Sequence, residues 1–178
     1  RSRGLGDVYK RQVIKKEETN YIDGVQEGLW TEWYEDGQKR RERNFKDGER
    51  DSTWTTWYKN GNKKFLASYS DGKLNGKYIR WYEGGIIKEL DGEYLNNKKH
   101  KKWIYWSKNG QKTEEINYDN GVHHGSHIKW FDEKSDQHKK FHVNYKDGNK
   151  DGNWHHWYSS GVDSLKASYS IGKKDGHW

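Results

Sequence analysis

The chain lacks cysteine and methionine altogether, and it has few aliphatic residues. The absence of cysteine excludes disulfides, zinc sites with cysteine ligands, iron–sulfur clusters and thiol nucleophiles. Leu, Ile, Val and Phe together make up 26 of the 178 residues, which is too few for a conventional globule with a deep aliphatic core. No apolar run approaches the roughly 20 residues of a membrane-spanning helix, and no secretory signal pattern is present.

Large aromatic residues are abundant by contrast, since the chain has 11 Trp and 13 Tyr. Disordered chains are poor in such residues, and each large ring can bury roughly 150–250 Å². We therefore expect an ordered chain whose core is thin and is built mainly from aromatic rings.

The first residues of the chain stand apart from the rest. Ser2–Gln12 reads SRGLGDVYKRQ and resembles the in-frame translation of a transposase sequencing adapter. This resemblance and the missing methionine imply a fragment of an environmental microbial gene in which residues 1–12 are artefactual. Removing their four basic residues and one acidic residue lowers the formal net charge from +7 to +4, an ordinary value for a mixed-charge surface. We expect residues 13–178 to form a single repeat domain.

A unit of about 24 residues recurs through this domain in six complete copies and one partial copy, at spacings of 24 to 27 residues. Such self-similarity is typical of repeat architectures. Every complete copy carries one constant tryptophan, and most copies carry a glycine three residues after the aromatic residue that begins the copy. We predict that these positions are structural: Trp33, Trp57, Trp81, Trp106, Trp130 and Trp157, with Gly24, Gly48, Gly72, Gly121, Gly148 and Gly172.

Glycine pairs divide each copy into strand-length segments. Pairs such as Asp36-Gly37, Asp47-Gly48, Asn60-Gly61 and Asn109-Gly110 are the favoured two-residue turns of β-hairpins. Runs of about six to eight residues, the usual length of a strand, lie between them, and glycine recurs too often for helices. The sequence therefore predicts an all-β fold, an elongated array of stacked antiparallel β-hairpins in which each copy covers its neighbour.

Alternation indicates which side chains of the second strand share a face. Phe65, Ala67 and Tyr69 occupy alternate positions and so point the same way. In the first copy Arg41 and Arg43 interrupt this apolar row, and we expect them to face solvent near the end of the array. The strand with the constant tryptophan has aromatic residues on both faces, so which aromatic row is more buried stays open.

The repeated pattern Y-x-D-G-x3-G-x-W-x2-W-Y-x2-G, present at Tyr21–Gly37 and Tyr145–Gly161, resembles the MORN repeat in its bacterial variant form. The resemblance covers roughly Asn20–Trp178 and implies a hairpin array that acts as a binding or scaffolding module. Bacterial proteins made largely of this variant are grouped as an antitoxin-like family of toxin–antitoxin systems. The family implies no catalytic residues.

The middle of the array departs from this pattern. The fourth copy has Asn97 and Lys101 in place of its two glycines, and the fifth copy has His127 in place of an aromatic residue. The fifth copy also has a longer turn at Glu133–Gln137. We expect a kink or a specialised surface in this part of the chain.

The histidines raise the question of a metal site. Neighbouring residues of a strand point to opposite faces, so His155 and His156 diverge, and no matched motif supplies the convergent ligands that zinc needs. We predict no metal site, no cofactor and no catalytic residue, because no nucleophile, phosphate-binding or metalloprotease motif is present either. The histidines considered are His123, His124, His127, His138, His142, His155 and His156.

Strand positions that change from copy to copy predict a binding function. Pairs such as Thr31/Glu32, Ile79/Arg80 and His155/His156 vary, whereas the turns and rings are constant, and a constant scaffold with varied exposed positions is typical of repeat proteins that recognise partners. We predict that the chain is a non-enzymatic scaffold that binds another protein. The candidate partner-binding residues are Glu32, Thr56, Arg80, Tyr105, Lys129 and His156.

Two other kinds of partner remain open. Basic and aromatic rows, with Lys98–Lys102 as the densest basic cluster, would suit a polyanion such as single-stranded nucleic acid or an anionic membrane surface. Trp178 stands where a new strand would begin. We therefore expect either that the natural gene continues or that the exposed sheet edge pairs with a second molecule.

Overall fold

A computed structural model describes residues 16–131 and 138–176 of the chain. The predicted artefactual segment 1–12, the longer turn at Glu133–Gln137 and the edge residue Trp178 lie outside these residues. In the described part of the chain, no helix is long and apolar enough to cross a membrane.

Among the described residues, fourteen strands form one open antiparallel sheet, and a separate two-stranded ribbon precedes most of them in the chain. Consecutive strands from β4 to β16 are neighbours, so the hairpins join edge to edge in a single layer. The prediction of an all-β hairpin array is confirmed. The strands are β1 (Glu17–Glu18), β2 (Tyr21–Ile22), β3 (Val25–Gln26), β4 (Gly28–Trp33), β5 (Lys39–Lys46), β6 (Glu49–Trp57), β7 (Lys63–Ser70), β8 (Lys73–Trp81), β9 (Lys88–Leu95), β10 (Lys98–Trp106), β11 (Lys112–Asp119), β12 (Val122–Trp130), β13 (Lys139–Lys146), β14 (Asn149–Trp157), β15 (Asp163–Ser170) and β16 (Lys173–Asp175). The ribbon pairs β2 with β3.

Tight turns join each copy to the next. At the turn between β5 and β6, Asp47 has a φ of 52° and Gly48 a φ of 78°, the left-handed pair that a two-residue hairpin turn requires. The predicted link is therefore itself a hairpin turn, and strands β4 to β16 follow one another across the sheet as a meander. The equivalent glycines also have positive φ: Gly24, Gly72, Gly121, Gly148 and Gly172.

The turns within each copy differ from the prediction. The amide of Tyr34 donates to the carbonyl of Gln38 at 2.8 Å, which leaves three residues in the loop, and of these only Gly37 has a positive φ. The carboxylate of Asp36 accepts a hydrogen bond from the Gln38 amide at 3.0 Å. This geometry is typical of a three-residue hairpin loop. The prediction of two-residue turns is wrong for Asp36-Gly37, Asn60-Gly61 and Asn109-Gly110.

The second glycine of each copy marks a β-bulge. Gly28 and Gly152 have φ values of 73° and 77°, and Ser52 and Lys101, which stand at the same position in their copies, have φ values of 55° and 59°. The register of the sheet shifts beside this position, for example between Glu42 and Asn44. The fold therefore imposes a left-handed backbone here on whatever residue is present.

We expect Ser52→Gly to raise the free energy of unfolding by about 1 kcal/mol, because glycine adopts a positive φ without the steric cost that a Cβ brings. Chemical denaturation of the full chain measures the change. The matched control is Gly152→Ser, where a Cβ would meet nothing within 4 Å, so that the backbone cost alone should lower stability by a similar amount. A Ser52→Gly variant no more stable than the wild type would contradict this expectation.

The core lies on one face of the sheet, which we call the ring face because it carries Trp103 and the rings around it. Ala67, Trp103 and Val143 are 0%, 1% and 3% exposed. The aromatic row that contains Trp103 is thus more buried than the row of constant tryptophans. The constant tryptophans are half-buried, and in five copies the cross-strand partner is a lysine: Trp33↔Lys39, Trp57↔Lys63, Trp81↔Lys88, Trp106↔Lys112 and Trp130↔Lys139.

Arg43 belongs to this core, and the prediction that it faces solvent is wrong. Its guanidinium lies 4.6 Å from the ring centroid of Trp30 and 4.9 Å from that of Trp54. Burial lowers the pKa of Arg43. The cation is attracted to the ring faces and so takes the place of an apolar residue between two tryptophans. Arg41, the other predicted exception, is half-buried.

Candidate binding surface

The six predicted partner-binding residues lie in one row across the ring face. Each is linked to the next by a cross-strand neighbour, as Thr56 and Arg80 are linked by Phe65. Directly opposed residues on one face of a sheet are within contact distance, so the row is continuous. This binding row consists of Glu32, Arg41, Thr56, Phe65, Arg80, Leu90, Tyr105, Glu114, Lys129, Phe141, His156 and Leu165.

The other members of the variable pairs lie on the opposite face. Thr31 and Thr55 are only 5% and 9% exposed, so the interpretation that both members of each pair are open to a partner is wrong for these two. Their β-branched side chains pack within the sheet.

Ion pairs fix the charged side chains of the row. Glu32 accepts a hydrogen bond from Arg40 at 2.8 Å and also lies 3.2 Å from Arg41 Nη1. Arg80 donates from Nε and Nη2 to the two carboxylate oxygens of Glu89, at 3.0 and 2.5 Å. This contact raises the pKa of Arg80. The side chains of Arg40 and Arg80, which donate these hydrogen bonds, remain nearly half exposed, at 44% and 45%.

A groove with a volume of about 480 Å³ follows the first part of the row. Rings such as those of Tyr34, Tyr58 and Phe65 form its walls. We call it the basic groove, because its lining includes the cations Arg40, Arg41, Lys64 and Arg80 with Glu89 as its acidic residue.

Tyrosines that follow the constant tryptophans hold the walls of the groove in place. The hydroxyl of Tyr34 donates to the carbonyl of Trp57 at 2.8 Å, and that of Tyr58 donates to the carbonyl of Trp81 at 2.7 Å. Each bond joins one copy to the next. Burial raises the pKa of Tyr58, so the hydroxyl stays protonated. Sequence reasoning missed these residues, although the repeated Trp-Tyr pair was the signal that could have identified them.

Comparison with known families bears directly on this repeated unit. A MORN repeat variant model matches residues 26–47, 50–71 and 99–120. These matches support the prediction that the chain is a MORN repeat protein. Each matched segment begins at the last residue of β3 or shortly after a two-residue turn, and it ends within the next two-residue turn. One MORN unit therefore corresponds to one hairpin. No curated protein matches the chain. MORN repeats are commonly scaffolds that bind proteins or membranes, and the family is generally non-enzymatic.

In the fifth repeat His127 replaces a ring of the core, and His123 stands where other copies have Arg50, Lys99 or Lys150. His127 Nε2 lies 2.8 Å from Glu114 Oε1, and this hydrogen bond lowers the pKa of Glu114. The His123 ring packs against Tyr118 and Tyr145, at centroid distances of 4.8 and 5.0 Å. Burial lowers the pKa of His123. These contacts make the two histidines part of the ring face of the sheet.

His155 and His156 diverge as the sequence predicted. His156 lies in the binding row opposite Phe141, with its Nδ1 2.6 Å from Ser164 Oγ. His155 is paired with His142 on the other face and packs against Trp157. Within residues 16–131 and 138–176, no three potential metal ligands from His, Asp and Glu form a group.

The basic cluster Lys98–Lys102 is engaged with the sheet itself. Lys99 Nζ lies 4.4 Å from the Trp103 ring centroid and 5.0 Å from that of Tyr118. Lys101 Nζ lies 2.9 Å from Glu93. The cluster therefore supports the packing of the fourth repeat, and its charge is partly balanced by neighbouring carboxylates.

Proposed function

We propose that this MORN-type array is a non-enzymatic scaffold that binds another protein through the binding row. The observation that carries the proposal is the row itself, in which the varied residue of every complete copy falls on one face and in one continuous line. A regular backbone that presents varied side chains at fixed intervals is suited to selective recognition. The antitoxin-like role, in a bacterial host and with a toxin as the partner, is supported by the family resemblance alone.

Binding of a polyanion is the second candidate, and the basic groove favours it. Lys64 and Arg80 are exposed there and could meet phosphates of a nucleic acid or of an anionic membrane. Against this candidate, Lys99 and Lys101 of the densest basic cluster already contact rings and a carboxylate of the sheet. A protein partner uses the varied residues along the whole row, whereas a polyanion uses only the cations.

Selection from a random peptide display library tests the proposal with the full chain as bait. We expect peptides with a shared motif to be enriched, and enrichment to be lost in an Arg80→Ser, Tyr105→Ser double variant of the row. The control is Lys77→Ser, because Lys77 lies on the same strand as Arg80 but pairs with Glu93 on the opposite face. Absence of any row-dependent motif, together with tight and strongly salt-sensitive binding of heparin or single-stranded DNA, would favour the polyanion candidate instead.

A further inference from the structure

The cations of the basic groove outnumber the carboxylates that contact them. Arg40, Arg41, Lys64 and Arg80 contribute four cations. Glu32, which contacts Arg40 and Arg41, and Glu89, which contacts Arg80, contribute two carboxylates. The surplus makes the groove complementary to a negatively charged ligand.

Carboxylates already fit the cations of this groove. Glu89 binds Arg80 through two parallel hydrogen bonds at 3.0 and 2.5 Å, the fork geometry that guanidinium groups prefer for carboxylates. Arg80 is still 45% exposed, so donors remain available on its outer side. Lys64 is exposed and lies 5.3 Å from the Tyr58 ring centroid, where its ammonium is held without an acidic partner among the described ion pairs.

We propose that the basic groove takes an extended acidic segment of a protein partner, with carboxylates at every third residue. This inference rests on the proposed protein-binding function and adds the chemistry of the partner. The rings of Tyr34 and Tyr58 between the cations favour a peptide, because its aliphatic carbons can pack on them while its carboxylates reach the charges.

The spacing of the repeats sets the interval of three. Arg40 and Lys64 occupy equivalent positions in successive copies, each beside the tyrosine six residues earlier, at 5.7 and 5.3 Å from the ring centroid. Equivalent positions are two strands apart, which is about 9.6 Å. A peptide crossing the strands in a polyproline II conformation rises about 3.1 Å per residue and has three residues per turn, so every third side chain points the same way. Three residues therefore span one repeat, and carboxylates at i and i+3 reach both cations.

Fluorescence anisotropy with labelled peptides and the full chain at physiological salt tests this inference. The probe is a peptide with glutamate at every third position and serine and alanine between. The comparison peptide has the same composition with its glutamates adjacent. We expect the spaced peptide to bind more tightly, and Lys64→Gln to weaken its binding about fivefold, the loss of one solvent-exposed ion pair.

The neighbouring residue provides the matched control. Lys63 is also exposed, but it does not line the groove. Lys63→Gln removes the same charge as Lys64→Gln and should leave peptide binding unchanged. Equal binding of the two peptides, or equal effects of the two variants, would overturn the inference. It also fails if vesicles containing phosphatidylserine bind in a Lys64-dependent way while neither peptide does. If library-selected peptides bind the row but the acidic peptide does not, the inference fails and the proposed function stands.

Discussion

Replacing Trp103 by alanine is expected to lower the free energy of unfolding by about 3–5 kcal/mol, the range for truncating a large buried ring. Trp103 is the largest fully buried side chain among the described residues, at 1% exposure. Its ring centroid lies 5.0 Å from that of Tyr94 and 5.6 Å from that of Tyr78. Its Nε1 donates to the carbonyl of Glu93 at 3.1 Å. Chemical denaturation followed by circular dichroism measures the loss.

The control for this prediction is the constant tryptophan of the same copy. Trp106 is half-buried, so Trp106→Ala should cost less, about 2 kcal/mol. The comparison is informative because Trp106 occupies the position that every complete copy preserves, whereas the position of Trp103 varies to Tyr78 and His127 in other copies. If Trp106→Ala destabilised the chain as much as Trp103→Ala, the assignment of the core to the ring face would be wrong.

Loss of the Trp103 ring should also affect how cooperatively the array unfolds. In a repeat protein each unit contacts only its neighbours, so stability depends on the interfaces between adjacent units. Trp103 reaches from β10 to Tyr94 on β9 and to Tyr118 on β11, and it therefore connects two repeats near the middle of the sheet. Its removal weakens that connection more than it weakens either end.

The architecture could be predicted from the sequence because its signals are local. The two-residue turn at Asp47-Gly48 needs two residues that tolerate positive φ, and every equivalent turn except Ile171-Gly172 has Asp or Asn followed by Gly or Asn. The choice between the two aromatic rows could not be made in the same way. Both Trp103 and Trp106 sit on strand β10 with rings on either face, and strand alternation assigns residues to faces without saying which face is buried.

Two features were missed, one because it depends on irregular strand geometry and the other because a charged side chain lies among rings. Strict alternation puts Arg40 and Arg41 on opposite faces, but the register shift beside Glu32 brings both within reach of its carboxylate. Arg43 was assigned to solvent because it is charged, although a guanidinium can lie between rings such as those of Trp30 and Trp54. The repeat spacing alone was enough to place the six row positions on one face, and their role in binding stays a prediction.

Gly92 explains why Trp103 is buried more deeply than its counterparts in other copies. A Cβ built on Gly92 would lie 2.3 to 2.8 Å from ring atoms of Trp103, so the indole lies directly on the backbone of β9. Ala67 and Ile116 occupy the equivalent position in other copies. In copies with a side chain at this position, the next copy has Tyr78, His127 or a tryptophan more exposed than Trp103, since Trp54 is 9% exposed and Trp154 is half-buried. The third copy thus lacks a side chain at the place where the fourth copy packs its largest ring.

We expect Gly92→Ala to lower the free energy of unfolding by about 2–3 kcal/mol, because the added methyl group overpacks a core in which the ring of Trp103 is held between Tyr78 and Tyr94. The matched control is Gly84→Ala, since a Cβ at Gly84 would meet nothing within 4 Å and should change stability little. In a Trp103→Ala background the substitution at Gly92 should cost almost nothing, because the clash is then absent. A double-mutant cycle measured by chemical denaturation gives this coupling. An equal cost of Gly92→Ala with and without the Trp103 ring would show that the two residues do not pack as described.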